Sequence, residues 1–409
     1  MLKIGMIGAG FVATFHERAL RSVRNAELAG VCALKGADAL AQKARQDRLG
    51  DTKVYATIAE LAKAVDVICV FAPNFVRVDM MRQIAAAVED GAKIKGIIVE
   101  KPLARNFAEA DTLARIVKAM GVPTAYFENQ IHMPAVVQAR TQLAQVEKAM
   151  GAAHLARSAE EHGGPHEPWF WDPTTQGGGV CCDMGCHSIA CGMYMVTPAG
   201  KPLTYLKPLR VNATMALLKW GKEPWRSQLQ KRGVDYSKVP AEDYSSVSIE
   251  FEDPATKHRS IVQATNSWMY DAPGLRLLME TFGPGYSYTV NSLQSPAGMF
   301  ISDAAATAVS DSELALEKSQ ATRGSLILQP DEASLYGYVA EWIDALAAFE
   351  QGRDALLNLE YGRLITMLIM AAYMSHEKRK VIDLTDVKTL AELETYVPLI
   401  QQGKGGQVL

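Results

Sequence analysis

Leu2-Lys3-Ile4-Gly5-Met6-Ile7-Gly8-Ala9-Gly10-Phe11-Val12-Ala13 opens the chain and decides how its first half folds. The first six residues form an apolar run suited to a buried strand. The next six spell G-x-G-x-x-G/A, and a helix-like stretch, 14–23, follows at once. Gly8 allows a tight turn, Gly10 lets a pyrophosphate approach the backbone, and Ala13 permits close helix–strand packing. The phosphates would meet free N–H groups at a helix N-terminus. This points to a dinucleotide, NAD or NADP, with Gly8, Gly10, Phe11 and Val12 on the binding turn.

Strand-like runs then alternate with helical ones. The strands are expected at 28–34, 65–72, 95–100 and 123–127, and the helices at 37–48, 57–63, 76–89 and 107–120. Such alternation implies an α/β fold with a parallel, doubly wound Rossmann sheet. From about residue 203 the pattern changes. Segments 209–218, 246–251, 260–268, 275–282 and 286–290 are strand-like, with turn residues and no clear helices between them. The second domain should therefore be α+β, with a large, mostly antiparallel, open-faced sheet. The charged segment 220–240 reads as an inserted loop or short helix. The expected domains are 1–125 and 126–409, with closing helices at about 331–376 in the second. Residues 401–409 are expected to be mobile.

Two further stretches carry chemistry. Gly96-Ile97-Ile98-Val99-Glu100-Lys101-Pro102 is an apolar strand ending in a charged pair. Ligands of open α/β sheets bind outside the carboxyl ends of strands, so Glu100 and Lys101 could face a cofactor. Gly177-Gly178-Gly179-Val180-Cys181-Cys182-Asp183-Met184-Gly185-Cys186-His187 places three glycines before an Asp and a His four residues apart. On a helix that spacing puts both side chains on one face. A carboxylate beside an imidazole holds the ring and favours its protonated form, a device for proton transfer. The glycines let the backbone pass something bulky, here read as a loop that admits substrate.

These motifs occur in the order found in the glucose–fructose oxidoreductase/inositol dehydrogenase (Gfo/Idh/MocA) family, which the whole chain resembles. The segment His166-Glu167-Pro168-Trp169-Phe170-Trp171-Asp172 resembles a substrate loop of that family, and 338–344 with 371–375 resemble its closing helices. The resemblance implies that Lys101, Asp183 and His187 form the catalytic group. It implies subunit pairing through the open sheet face, as a homodimer or homotetramer.

The implied reaction is hydride transfer between a nicotinamide and a secondary hydroxyl or ketone of a sugar, glycoside or cyclic polyol. His187 would act as general base, oriented by Asp183, while Lys101 stabilises negative charge developing on the reacting oxygen. His166, Trp169, Trp171 and Asp172 are candidate substrate contacts, with a packed aromatic corner as the structural alternative; Glu128 lies near the same cleft. Ala72-Pro73-Asn74 resembles the family's cofactor loop, but Arg77 replaces the histidine often found three residues after the asparagine. At the ribose end the second strand runs into Ala33-Leu34-Lys35, where an acid that binds the hydroxyls is usual. Lys35 could favour the extra phosphate of NADP. Three alternatives stay open: redox-neutral glycoside cleavage or epimerisation with tightly bound NAD, a non-catalytic dinucleotide sensor, and a metal protein built on Cys181, Cys182, Cys186 and Cys191. The cysteine spacing lacks the C-x2-C knuckle of common zinc sites, so no metal is expected.

Composition agrees with a cytoplasmic enzyme. The 409 residues exceed one ordinary compact core, apolar residues make up 48% of them, and the net charge is −3. That charge gives no reason to expect nucleic acid as a partner. No signal peptide or membrane span is expected, since the amino terminus is strand-like and the most apolar run, 364–374, is too short.

Overall fold

The computed structural model describes residues 1–271, 274–292, 297–301, 324–328 and 331–409, with the backbone alone for 297–301 and 324–328. The chain divides into two compact units: Met1–Pro134 with Tyr336–Thr366, and Ala135–Leu335 with Met367–Leu409.

The first unit alternates as its apolar runs require: β1 (Leu2–Ile7), α1 (Phe11–Leu20), β2 (Ala26–Cys32), α2 (Ala37–Gln46), β3 (Lys53–Val54), α3 (Ile58–Ala64), β4 (Val67–Val70), α4 (Arg77–Glu89), β5 (Gly96–Glu100), α5 (Phe107–Met120) and β6 (Thr124–Phe127). The strands form one parallel sheet in the order β3-β2-β1-β4-β5-β6. This is the doubly wound Rossmann sheet expected from the sequence. Ile4, Met6, Val31, Ile68, Ile97 and Ile98 are fully enclosed, because helices cover both faces and leave the strands no polar side.

The second unit contains α6 (Pro134–Met150), β7 (Leu155–Glu161), α7 (Pro168–Trp171), α8 (Pro173–Gln176), α9 (Val180–Asp183), α10 (Gly185–Val196), β8 (Lys207–Ala216), α11 (Trp225–Lys231), β9 (Tyr244–Glu252), β10 (Arg259–Ser267), β11 (Arg276–Gly283) and β12 (Tyr286–Asn291). A two-stranded antiparallel ribbon, β13 (Ala297–Ile301) with β14 (Gly324–Leu328), follows. The closing elements are α12 (Glu332–Leu335), α13 (Tyr338–Glu350), α14 (Leu359–Lys378), β15 (Ile382–Asp383) and α15 (Val387–Thr395).

The second sheet has the order β12-β11-β7-β10-β9-β8-β15 and is antiparallel except where β7 lies parallel to β10. The reading of the sequence omitted β7, which is central. Its inward residues, Ala156, Ser158 and Glu160, are small or polar, so no apolar alternation announces it. The inserted segment carries the short helix α11.

Two expectations need correction. The closing helices were all placed in the second domain, but 336–366 group with the first unit. There the Phe349 ring fills the space over Gly96, Asp354 accepts from the Thr124 N–H at 2.7 Å, and Arg363 pairs with Asp111 at 2.7 Å. The terminal segment is packed down instead of mobile: His376 Nε2 donates to the Val408 carbonyl at 2.9 Å and Gly405 is buried.

Candidate active site

The candidate cofactor residues all lie at the carboxyl edge of the first unit's sheet. Gly8 and Gly10 follow β1, Ala33 and Lys35 follow β2, Ala72, Pro73 and Asn74 follow β4, and Glu100 ends β5 just before Lys101. Gly8 has φ +107°, and a Cβ there would press on the backbone of Phe71 and Ala72. Glycine is therefore required by the fold itself at that turn. Gly10 differs. It is the N-cap of α1, it makes no side-chain cap bond, and a Cβ added to it meets nothing within 4 Å among the described residues. The first turn of α1 carries no acid either. A helix N-terminus with no capping side chain and no acid in its first turn fits a pyrophosphate. Gly10, Phe11 and Val12 would hold NAD there, and Phe11 is exposed. Leu34 and Lys35 are exposed beyond the end of β2.

Arg77 and Glu100 face inward. Arg77 is 3% exposed, and its guanidinium donates to the carbonyls of Ala72 (3.0 Å), Glu100, Pro102 and Leu103 (3.3 Å). The Glu100 carboxylate was expected to face the cofactor; its Oε1 lies 2.8 Å from His16 Nε2 in the buried interior. Glu128 is also enclosed, and its carboxylate accepts from the N–H groups of Gln130 and Ile131 at 3.2 and 3.4 Å. This caps the turn after β6.

The second unit holds Asp183 and His187, both almost fully buried. They were expected on one continuous helix. The helix breaks at Met184 (φ −114°, ψ −23°), so Asp183 closes α9 and His187 lies in the first turn of α10. A third group, His162, lies beside them. Its Nδ1 accepts from the Gly164 N–H at 2.9 Å, which leaves the proton on Nε2, 4.0 Å from Asp183 Oδ2. The sequence carried no signal for this neighbour beyond the histidine itself.

The glycine run also needs a new explanation. The bulky groups it passes belong to the chain. A Cβ at Gly178 would overlap the Tyr373 hydroxyl, and one at Gly179 would overlap the Glu242 carbonyl. Glu242 is fully buried just before β9. Its carboxylate accepts from the N–H groups of Gly179 (3.0 and 3.1 Å) and Cys181 (3.0 Å) and from the Tyr373 hydroxyl (2.6 Å). Its carbonyl accepts from the Val180 N–H at 3.0 Å. One residue thus satisfies the open N–H groups at the start of α9. Burial pushes the Glu242 carboxyl up to about 7, against the lowering effect of those hydrogen bonds.

Cys181, Cys182, Cys186 and Cys191 are buried thiols outside any disulfide, and burial holds the first two well above their usual range. Trp171 is a correction. It is fully buried, with ring centroids 4.6 Å from Trp220 and 4.8 Å from Trp268, and its Nε1 donates to the Pro165 carbonyl. This is the packed corner, with no face left for a sugar ring. Asp172 caps α8 through Thr174, while His166 and Trp169 remain partly exposed.

Residues 2–127 match the oxidoreductase family with an NAD-binding Rossmann fold, and 137–280 match the Gfo/Idh/MocA C-terminal domain; together these exceed half the chain. The chain belongs to the Gfo/Idh/MocA family. Glucose-6-phosphate 3-dehydrogenase of Bacillus subtilis (strain 168) is 31% identical over 122 residues, which are 30% of this chain and 32% of that protein. The match therefore spans about a third of that relative. The Gfo/Idh/MocA fold recurs in solved structures. GenD2 from gentamicin A biosynthesis, in complex with NAD, has a TM-score of 0.73 at 23% identity, covering 94% of this chain and 96% of that one. A putative myo-inositol dehydrogenase from Sinorhizobium meliloti 1021 gives 0.68 at 18% identity, covering 94% and 100%. Levoglucosan dehydrogenase, complexed with NADH and levoglucosan, gives 0.66 at 18%, covering 93% and 98%. Among the described residues no helix is long and apolar enough to cross a membrane.

Proposed function

We propose that this chain is an NAD(P)-dependent dehydrogenase or reductase acting on a secondary hydroxyl or ketone of a sugar, glycoside or cyclic polyol. The observation that carries the reading is the glycine turn at Gly10, with room for a Cβ among the described residues and no capping side chain, in a Gfo/Idh/MocA chain that also keeps Lys101, Asp183 and His187. When bound, NAD supplies the hydride acceptor. His187 takes the proton of the reacting hydroxyl and returns it in the reductive direction. Asp183 orients the imidazole and stabilises its cationic form. Lys101 stabilises negative charge on the same oxygen. His166 and Trp169 contribute substrate contacts, and Lys35 extends acceptance to NADP. The open face of the second sheet pairs copies of the chain.

The test is a panel of sugars, inositols and glycosides with NAD and NADP, followed by absorbance of the reduced nicotinamide. Lys101→Ala should lower turnover by on the order of a hundredfold. In the oxidative direction the rate should rise with pH as the base loses its proton, and His187→Ala should abolish that inflection. A His187→Ala enzyme with the wild-type rate and pH profile would overturn the reading.

A further inference from the structure

The turn that carries Lys101 is held from two sides by side chains outside the known motifs. Arg77, the first residue of α4, is the only guanidinium among the described residues shown hydrogen-bonded to carbonyls on both sides of Lys101, those of Glu100 and Pro102. It also bonds the carbonyls of Ala72 and Leu103. Ala72 begins the cofactor loop after β4, so one planar cation ties that loop to the end of β5. A lysine could not do this, because its ammonium lacks a fixed fork of donors.

Behind the turn lies His16, on the helix that starts at the phosphate-binding glycine. The indole Nε1–H of Trp342 donates to His16 Nδ1 at 3.1 Å. An indole is only a donor, so the His16 proton sits on Nε2 and is given to Glu100 Oε1 at 2.8 Å. His16 is fully buried, stacked on Phe71 at 4.2 Å and edge-on to Trp342. Its ring is locked in position and in tautomer. His16, Glu100 and Glu341 have potential ligand atoms within 4.8 Å of one another. Both His16 nitrogens are already used within the protein, so this group reads as a hydrogen-bonded frame instead of a metal site.

We propose that Arg77, backed by the Trp342–His16–Glu100 chain, is the positioning device that sets where the Lys101 ammonium stands. Arg77 fixes the backbone on both sides of Lys101, and His16 fixes the side chain immediately before it. The proposal rests on the reading that Lys101 takes part in the reaction, and its test is chosen to fail separately.

The experiment is competitive acetylation of the full, cofactor-free chain across pH, with Lys101 and the exposed Lys93 followed by mass spectrometry. Folding is checked by urea unfolding and the nucleotide site by NADH fluorescence. In Arg77→Lys and His16→Ala the labelling rate of Lys101 should change at least about threefold, the change that half a pH unit produces. Lys93 should not respond. His16→Gln should return Lys101 towards wild type, because an amide can accept from Trp342 and donate to Glu100. Trp342→Phe, which removes only the N–H donor, serves if either variant fails to fold, and it should move Lys101 in the same direction as His16→Ala. With the preferred substrate, turnover at saturating NADH should fall on the order of tenfold or more, beyond any loss of NADH affinity. Folded variants that label Lys101 at the wild-type rate would overturn the proposal. If Lys101→Ala keeps full turnover, the catalytic reading falls, and the labelling still decides whether Arg77 and His16 position the amine.

Discussion

Gly10 and Glu242 show how much one residue can decide. At Gly10 nothing among the described residues occupies the space a Cβ would take, so an added side chain is aimed at what binds there. Gly10→Asp should therefore keep the unfolding midpoint and abolish NADH binding, by placing a carboxylate against the pyrophosphate. Fluorescence titration checks this, and unchanged affinity would remove the site. Glu242 gives a pH prediction. Its carboxyl has an ordinary value of 4.5 and is lifted by burial to about 7 in the folded protein. Between the two values the folded state keeps a proton that the unfolded state has released. Its contribution to stability is therefore full below pH 4.5 and is lost as pH rises through about 7. The loss is about 3 kcal/mol. The neighbouring Tyr373, Tyr236 and Cys181 are pushed up by the same burial and stay neutral in this window. The stability difference between wild type and Glu242→Gln, from urea unfolding, should shrink by about that amount between pH 4.5 and 7.5. A constant difference would disprove the assignment.

At the scale of elements, the decisive piece is the join of α9 and α10. Four-residue α9 cannot hold itself by propagation alone, since nucleation is costly. Glu242 and Tyr373 supply what the helix lacks, and the absence of side chains at 178 and 179 lets them close in. Gly178→Ala should therefore destabilise the protein by about 1–3 kcal/mol, as overpacking does. The midpoint in urea measures it. Unchanged stability would mean that Tyr373 moves aside freely. Asp243, next in sequence, accepts from the N–H groups of Leu218, Lys219 and Trp220 at 2.7–2.8 Å. Two adjacent acids thus organise two different loops.

At the scale of the whole molecule, α10 packs on one face of the second sheet, and among the described residues β10 presents exposed side chains on the other. Alternation along β10 puts Val262 and Ala264 inward and Ile261 and Gln263 outward, with Ile261 42% exposed. If copies pair through that face, Ile261→Asp should lower the mass found by light scattering towards that of one chain. An unchanged mass would place the interface elsewhere.

The sequence by itself determined the alternation of the first unit, the glycine turn at its first strand, and the order of the three motifs. These are local: an apolar run, a turn and a helix signal lie within a few residues of one another, and their spacing states their purpose. Most strands of the second sheet were legible for the same reason. Tertiary structure alone decided the rest. β7 is quiet in sequence because its neighbours, not its own side chains, make it a central strand. Trp171 looked like a ring for a sugar until Trp220 and Trp268, about 50 and 100 residues away, enclosed it. The need for glycine at 178 and 179 is set by Glu242 and Tyr373, and the turn of Lys101 by Arg77 and His16. Each of these pairings joins groups far apart in the chain, and only folding brings them within hydrogen-bond distance.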